Sequence, residues 1–228
     1  MKVLFAGSSL HDSLANLAGL ELRPPARRGD IHQAVSDGAT AIGLVDGEFG
    51  QSASVLHKEI LFALHRGVPV LGASSMGALR FAECAAFGMI GVGKIAHDYH
   101  SGRLNDDADV ALLMAPAEFG WAPLSEPLVD VAATLEGLVS NGLITAAEHA
   151  ELWERASQLH FSERTAETIL AGHPDSDRLR ALYTARHVSQ KRIDAEELVE
   201  ALRTLDPDGW RPPLFNPSRS FFWSPVAG

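Results

Sequence analysis

Val68-Pro69-Val70-Leu71-Gly72-Ala73-Ser74-Ser75-Met76-Gly77 is the stretch that decides the fold. Its first four residues form a short apolar run closed by a glycine, the signature of a strand buried on both faces. From residue 75 to 86 the spacing becomes helical, so the chain turns directly from a strand into a helix. Working back, residues 54–66 form the clearest helix. Val55, Leu56, Ile60, Ala63 and Leu64 recur at mostly helical spacing, Arg66 suits the last turn and Gly67 stops it. Further apolar runs at 3–6, 41–45 and 110–114 read as three more strands, and Asp30 caps a helix over 30–36 that ends before Gly38. Strand–helix–strand order predicts an α/β fold with a mostly parallel sheet and flanking helices.

From about residue 125 the pattern changes. Helical periodicity covers 128–138, 145–159, 162–171, 177–187 and 194–205, and no strand signal is strong. The expected organisation is an α/β core over 1–124 with its active site at the strand ends, followed by a helical region over 125–228. That region either packs on the sheet or forms its own lobe. It closes in a tail rich in Pro and aromatics (Trp210, Phe215, Phe221, Phe222, Trp223), which reads as an arm folded over the protein's own surface or as a partner-docking segment.

Composition narrows the functional classes. The chain has 228 residues, 46% of them hydrophobic and 21% charged, enough to bury a sizeable core. A net charge of −10 repels phosphate backbones, so no nucleic-acid partner is expected, Arg23-Pro24-Pro25-Ala26-Arg27-Arg28 being the one basic run. The single cysteine, Cys84, rules out an internal disulfide and a four-cysteine zinc site; no metal or other cofactor is expected. No run approaches the roughly 18 apolar residues that cross a bilayer, and Met1–Gly7 reads as a first strand rather than a signal peptide. A cytoplasmic protein with no membrane partner is the expectation.

In open parallel sheets, ligands bind beyond the carboxyl ends of the strands. Three such ends carry polar groups here: Gly7-Ser8-Ser9, Asp46-Gly47-Glu48 and Ala73-Ser74-Ser75-Met76-Gly77. The last is a Gly-x-Ser-x-Gly elbow with Ala in place of the first Gly. It would raise Ser75 above the sheet and aim the backbone N–H of Met76 at a developing oxyanion. Each group singly is also an ordinary turn former or helix cap. A nucleophilic serine needs a base. The histidines His57, His97 and His100 are candidates, as are Asp98 or Asp106 with His149 or His160, and so is Lys58, one helix before the elbow. Spacing selects none of them.

A resemblance makes the selection. His57-Lys58-Glu59-Ile60-Leu61, Gly67-Val68, Gly72 through Arg80, and Phe87-Gly88-Met89-Ile90-Gly91-Val92-Gly93 resemble the TfuA-like core domain. Pro24-Pro25-Ala26 with Gly29-Asp30, Asp46-Gly47 with Phe49, Asp106-Asp107 with Asp109-Val110, and Pro123-Leu124-Ser125 are similar to its other blocks, covering roughly residues 3–135. The resemblance implies a partner of YcaO-domain proteins in thioamidation of a ribosomally made precursor peptide. It implies sulfur delivery by hydrolysis of the C-terminal thiocarboxylate of a ThiS-like, ubiquitin-fold carrier through a Ser–Lys pair. Carried over by position, that pair is Ser75 and Lys58.

Arg80, Asp46, Ser9 and His57 are second-rank, substrate-binding candidates. Asp46 and Ser9 sit at strand ends where they could orient the pair, and His57 is the fallback base. Arg80 reads either as a clamp for the carrier's carboxylate tail or as an ion pair with Glu83. Cys84, mid-helix among Phe81, Ala82, Ala85 and Ala86, reads as a buried, inert thiol. Two other functions compete: a non-catalytic adaptor joining YcaO protein, carrier and peptide, and a small-molecule esterase.

Overall fold

The structure is a computed structural model that describes residues 1–48 and 53–215. Five parallel strands, β1 (Lys2–Phe5), β2 (Leu20–Arg23), β3 (Ala41–Leu44), β4 (Val70–Gly72) and β5 (Ile90–Gly91), lie in the order β2-β1-β3-β4-β5. The α/β expectation therefore holds, and the strands read at 3–6, 41–45 and 68–71 form the centre of the sheet. Both edge strands went unread. β2 carries Glu21 and Arg23 on a half-exposed edge, and β5 is only two residues long.

Residues 110–114 are not a strand, which corrects the fourth strand expected there. Only Met114 makes an isolated bridge, antiparallel to Pro123, while the Leu113 N–H donates to the Ser125 hydroxyl at 2.8 Å. Val110 and Ala111 are apolar because they are buried, not because they pair in the sheet.

Alternation along the strands fills both faces. Val3, Phe5, Ile42, Leu44 and Val70 face α1 (Asp30–Ser36), α2 (His57–His65) and α3 (Met76–Cys84) through Ile31, Ile60, Leu64, Ala78 and Phe81. Leu4, Ala6, Ala41, Val45, Leu71 and Ala73 face one long helix from the far end of the chain, α9 (Gln190–Thr204), through Ala195, Leu198, Val199 and Leu202. Gly43 permits that contact: a Cβ there would stand 2.8 Å from the methyl carbons of both Leu198 and Leu202. The Lys2 ammonium donates to the carbonyls of Arg203 and Leu205 at 2.7 and 2.8 Å, placing a cation at the negative end of α9.

Along the chain between β5 and α9 come α4 (Gly93–His100), which the sequence reading lacks, then α5 (Leu128–Ser140), α6 (Ala146–Gln158), α7 (Ala166–Leu170) and α8 (Ser176–Ala185). The last four share a core of their own, with Leu135, Leu138, Leu152, Ile169, Leu179 and Tyr183 at its centre. The helical region thus contributes both a lobe and, through α9, one layer against the sheet. Trp210 and Phe215 pack against the core on the α2 side, Phe215 edge-on to Phe87; Phe49, Phe221, Phe222 and Trp223 lie outside the described residues.

Candidate active site

The turn from β4 into α3 is tight enough to leave signatures in its backbone. Ser74 has φ 65°, the left-handed region that costs a non-glycine residue roughly 1–2 kcal/mol. Ser75 follows as the N-cap of α3 with φ −113° and ψ −118°. Gly77 makes the turn possible: a Cβ on it would fall 1.8 Å from the Leu44 carbonyl oxygen, so α3 starts in backbone contact with β3. Its N–H donates to the Val45 carbonyl at 3.1 Å.

The strained turn is held by the two neighbouring strand ends. The Ser74 hydroxyl donates to the Ser9 hydroxyl at 2.9 Å, and Ser9 donates to Asp46 Oδ1 at 2.7 Å. The other Asp46 oxygen accepts from the N–H groups of Gly7 and Ser9 at 2.8 and 2.9 Å. Asp46 is 1% exposed, so its carboxylate acts as an internal clasp on the turn after β1. β1 and β3 are the strands on either side of the point where strand order reverses, the usual place for a ligand site in an open α/β sheet.

Against this elbow stands Lys191, in the first turn of α9. Its Nζ lies 3.2 Å from Ser75 Oγ and donates to the Val110 carbonyl at 2.9 Å. Lys191 is 2% exposed and Ser75 3%. Burial pulls the Lys191 pKa below the ordinary lysine value, and the carboxylates of Asp46 and Asp130 pull it partly back. A neutral amine at this position can keep its bond to Val110 and still offer a lone pair to the serine hydroxyl. Beyond Ser75, the Met76 N–H is the first of α3 and has no carbonyl within the helix to meet.

The model of the TfuA-like protein family matches residues 46–165. The chain belongs to that family. Membership supports a role beside YcaO proteins in thioamidation. A search of curated proteins gave no match. The TfuA-like span starts later and runs further than the resemblance over 3–135 had implied. It takes in Asp46, Ser75, Met76 and Asp130, and it leaves out Ser9 and Lys191, which complete the site from either side.

The structure brings together Ser75, Met76, Ser9 and Asp46 among the residues singled out in the sequence. Lys58 and His57 it does not: both are exposed at the start of α2, whose buried residues are Glu59, Ile60, Leu61, Ala63 and Leu64. Arg80 is committed elsewhere. Its Nε donates to the Val55 carbonyl at 2.7 Å and its Nη1 pairs with Glu83 at 2.9 Å, so it ties α3 to the segment before α2. Asp98 is held by Lys94 and Arg103. Cys84 is buried in the core, and burial pushes its thiol up to about 12, which leaves almost no thiolate for sulfur relay.

Lys191 escapes the sequence reading because helical periodicity marks the last helix only from Asp194 onward, whereas α9 starts at Gln190. Ser189 is its N-cap, and its hydroxyl accepts from the Arg192 N–H. Counted from there, Lys191, Ala195, Leu198 and Leu202 fall at helical spacing on one buried stripe. A lysine in phase with an apolar stripe was the available signal.

A cleft of about 400 Å³ opens beside the pair, lined among others by Ser9, Ser125, Asp130, His187, Lys191 and Arg192. Ser75 itself is not on its wall, so a reacting group arriving through this cleft meets Lys191 and Ser9 first. Among the described residues no three His, Cys, Asp or Glu side chains gather as metal ligands, and no helix is long and apolar enough to cross a membrane.

Proposed function

We propose that this chain is a thiocarboxylate hydrolase that supplies sulfide for YcaO-dependent thioamidation, with Ser75 as nucleophile and Lys191 as its base. The observation that carries the reading is the 3.2 Å approach of a fully buried lysine amine to an elbow serine. A lysine replaces histidine as base when desolvation favours its neutral form, and burial does so here.

In the first step Lys191 takes the Ser75 proton, and Ser75 Oγ bonds to the thiocarboxylate carbon. The carbonyl oxygen gathers negative charge beside the Met76 N–H. The C–S bond then breaks as the proton held by Lys191 passes to the sulfur, leaving an acyl-serine, hydrosulfide and a neutral Lys191. In the second step Lys191 takes a proton from water, whose oxygen bonds to the acyl carbon; Ser75 leaves with the proton returned from Lys191. The balance is thiocarboxylate plus water giving carboxylate plus hydrogen sulfide. No cysteine adduct is needed, in keeping with the buried state of Cys84.

The substrate in this reading is the C-terminal thiocarboxylate of a ubiquitin-fold carrier of the ThiS type, and the acceptors are a YcaO-domain protein and its precursor peptide. An adaptor function is supported by a separate feature. Phe119 and Leu124 are 66% and 53% exposed on the segment that borders the cleft, with Leu113 exposed nearby, an apolar rim suited to a docking protein. The direct experiment is sulfide release from a thiocarboxylated carrier by wild type and Ser75→Ala. Loss of release in a folded Ser75→Ala protein supports the hydrolase; equal release by both removes it and leaves the adaptor.

A further inference from the structure

We infer that Asp130, on α5, is the positioning residue that aims Lys191 at Ser75 and supplies a negative charge that sets the working range of its amine. The inference rests on the Ser75–Lys191 reading and extends it to a residue from the helical lobe.

The geometry is specific. Asp130 Oδ1 accepts the backbone N–H of Lys191 at 2.9 Å, and Oδ2 accepts the hydroxyl of Ser189 at 2.8 Å. Ser189 is the N-cap of α9, so the carboxylate grips both the cap and the first turn of the helix that carries the base. Without that grip the Lys191 N–H, one of the donors that a helix start leaves unpaired, has no acceptor and the Ser189 cap loses its tether to α5, so the first turn is held only by the packing further along α9. One helical residue turns through about 100°, so a small rotation of this turn carries Lys191 Nζ out of reach of Ser75.

Burial raises the Asp130 pKa, and the Lys191 N–H, the Lys191 charge, the Ser189 hydroxyl and His187 pull it back; both of its oxygens act only as acceptors, as those of an ionised carboxylate do, and they sit at the positive end of α9. Asp130 is 4% exposed and lies on the wall of the cleft. Lys191 is faced by Asp46 from the end of β3 and by Asp130 from α5, and Asp130 is faced in turn by Lys191 and His187. The Asp46 charge also raises the basicity of the amine, ahead of that of Asp130, but its oxygens hold the Gly7–Ser9 turn, whereas Asp130 alone of the two binds the lysine's own backbone. Desolvation favours the neutral amine, and a buried carboxylate beside it restores basicity.

The test is a titration of Lys191 followed by the 13Cε resonance of labelled lysine, assigned by its loss in Lys191→Met. Wild type, Asp130→Asn and Ser189→Ala are compared. Asp130→Asn keeps an acceptor for the Lys191 N–H and removes the charge. Its Lys191 midpoint is expected to fall by about one pH unit, and the rising limb of the pH–rate profile for sulfide release should move the same way. Ser189→Ala keeps the charge and removes one bond, so it should lower the rate without moving the midpoint. An Asp130→Asn midpoint equal to or above that of wild type overturns the inference. Should that variant not fold, Asp130→Ser, neutral and shorter, takes its place with the same expectation. Because the titration needs no turnover, it reads Asp130 even if Ser75→Ala releases sulfide like wild type and the hydrolase reading falls.

Discussion

Lys191 reaches Ser75 across 116 residues of chain, and the 3.2 Å between amine and hydroxyl joins the first turn of α9 to the first turn of α3. Two helix starts, from opposite faces of one sheet, meet over the end of β4.

Removing the amine should separate the two lysines. Lys191→Ala is expected to slow sulfide release by roughly 10²- to 10⁴-fold, the usual worth of a general base, while Lys58→Ala stays within about twofold, since an exposed helix position rarely matters more. Initial rates on a thiocarboxylated carrier decide it; equal losses would return Lys58 to the site.

The rate should rise with pH as Lys191 loses its proton, with a midpoint below the ordinary lysine value of about 10.4, because burial lowers it. Lys191→Arg should be inactive at every pH, since a guanidinium keeps its proton. A flat profile in wild type would speak against an amine base.

The same depression links stability to pH. Unfolded, Lys191 binds a proton at pH values where the folded amine does not. Stability therefore climbs with pH between the folded midpoint and the unfolded one, and the cost of the buried amine is greatest below that window. In Lys191→Met the slope across it should shrink by about one proton. Urea unfolding at a series of pH values measures it.

Gly77→Ala should cost about 3 kcal/mol and with it most of the activity, as overpacking against fixed backbone does. The new Cβ would meet the Leu44 carbonyl and push α3, with Ser75 at its head, off β3. Thermal unfolding gives the stability, and a cost below about 1 kcal/mol would mean that the elbow is more pliant than its contacts imply.

Cys84→Ala is expected to keep full sulfide release and lose about 1 kcal/mol, the scale of one small core truncation. Its thiol should react with maleimide only once the protein unfolds, given burial and a pKa of about 12. Loss of sulfide release from the folded protein on treatment with thiol reagents would reopen a cysteine route.

What the sequence made legible follows from which signals are local. β1, β3 and β4 are short apolar runs closed by turn residues, and the elbow with Ser75 is a contiguous word, so all were readable. Edge strands β2 and β5 were not, because one carries charges and the other is two residues long. Residues 110–114 misled because burial between layers produces the same apolar run as pairing in a sheet. The residues alone left the base proposed for Ser75 open between several histidines and Lys58, and the family resemblance pointed to Lys58. Lys58 lay close in sequence and in a motif, whereas Lys191 is fixed by tertiary contact, through the cap at Ser189 and the grip of Asp130. Asp46 and Ser9 were placed at the site by strand-end logic, but their bond to Ser74 needed the fold.

The layer that α9 adds to the sheet has a consequence for how the protein is made. On the proposed Ser75–Lys191 reading, the elbow leaves the ribosome more than a hundred residues ahead of its base. A chain interrupted anywhere before Gln190 carries a serine without an amine to activate it, whatever part of the sheet has formed. Reactivity is thereby withheld until α9 has been made, and damage that strips α9 away disarms the serine it leaves behind.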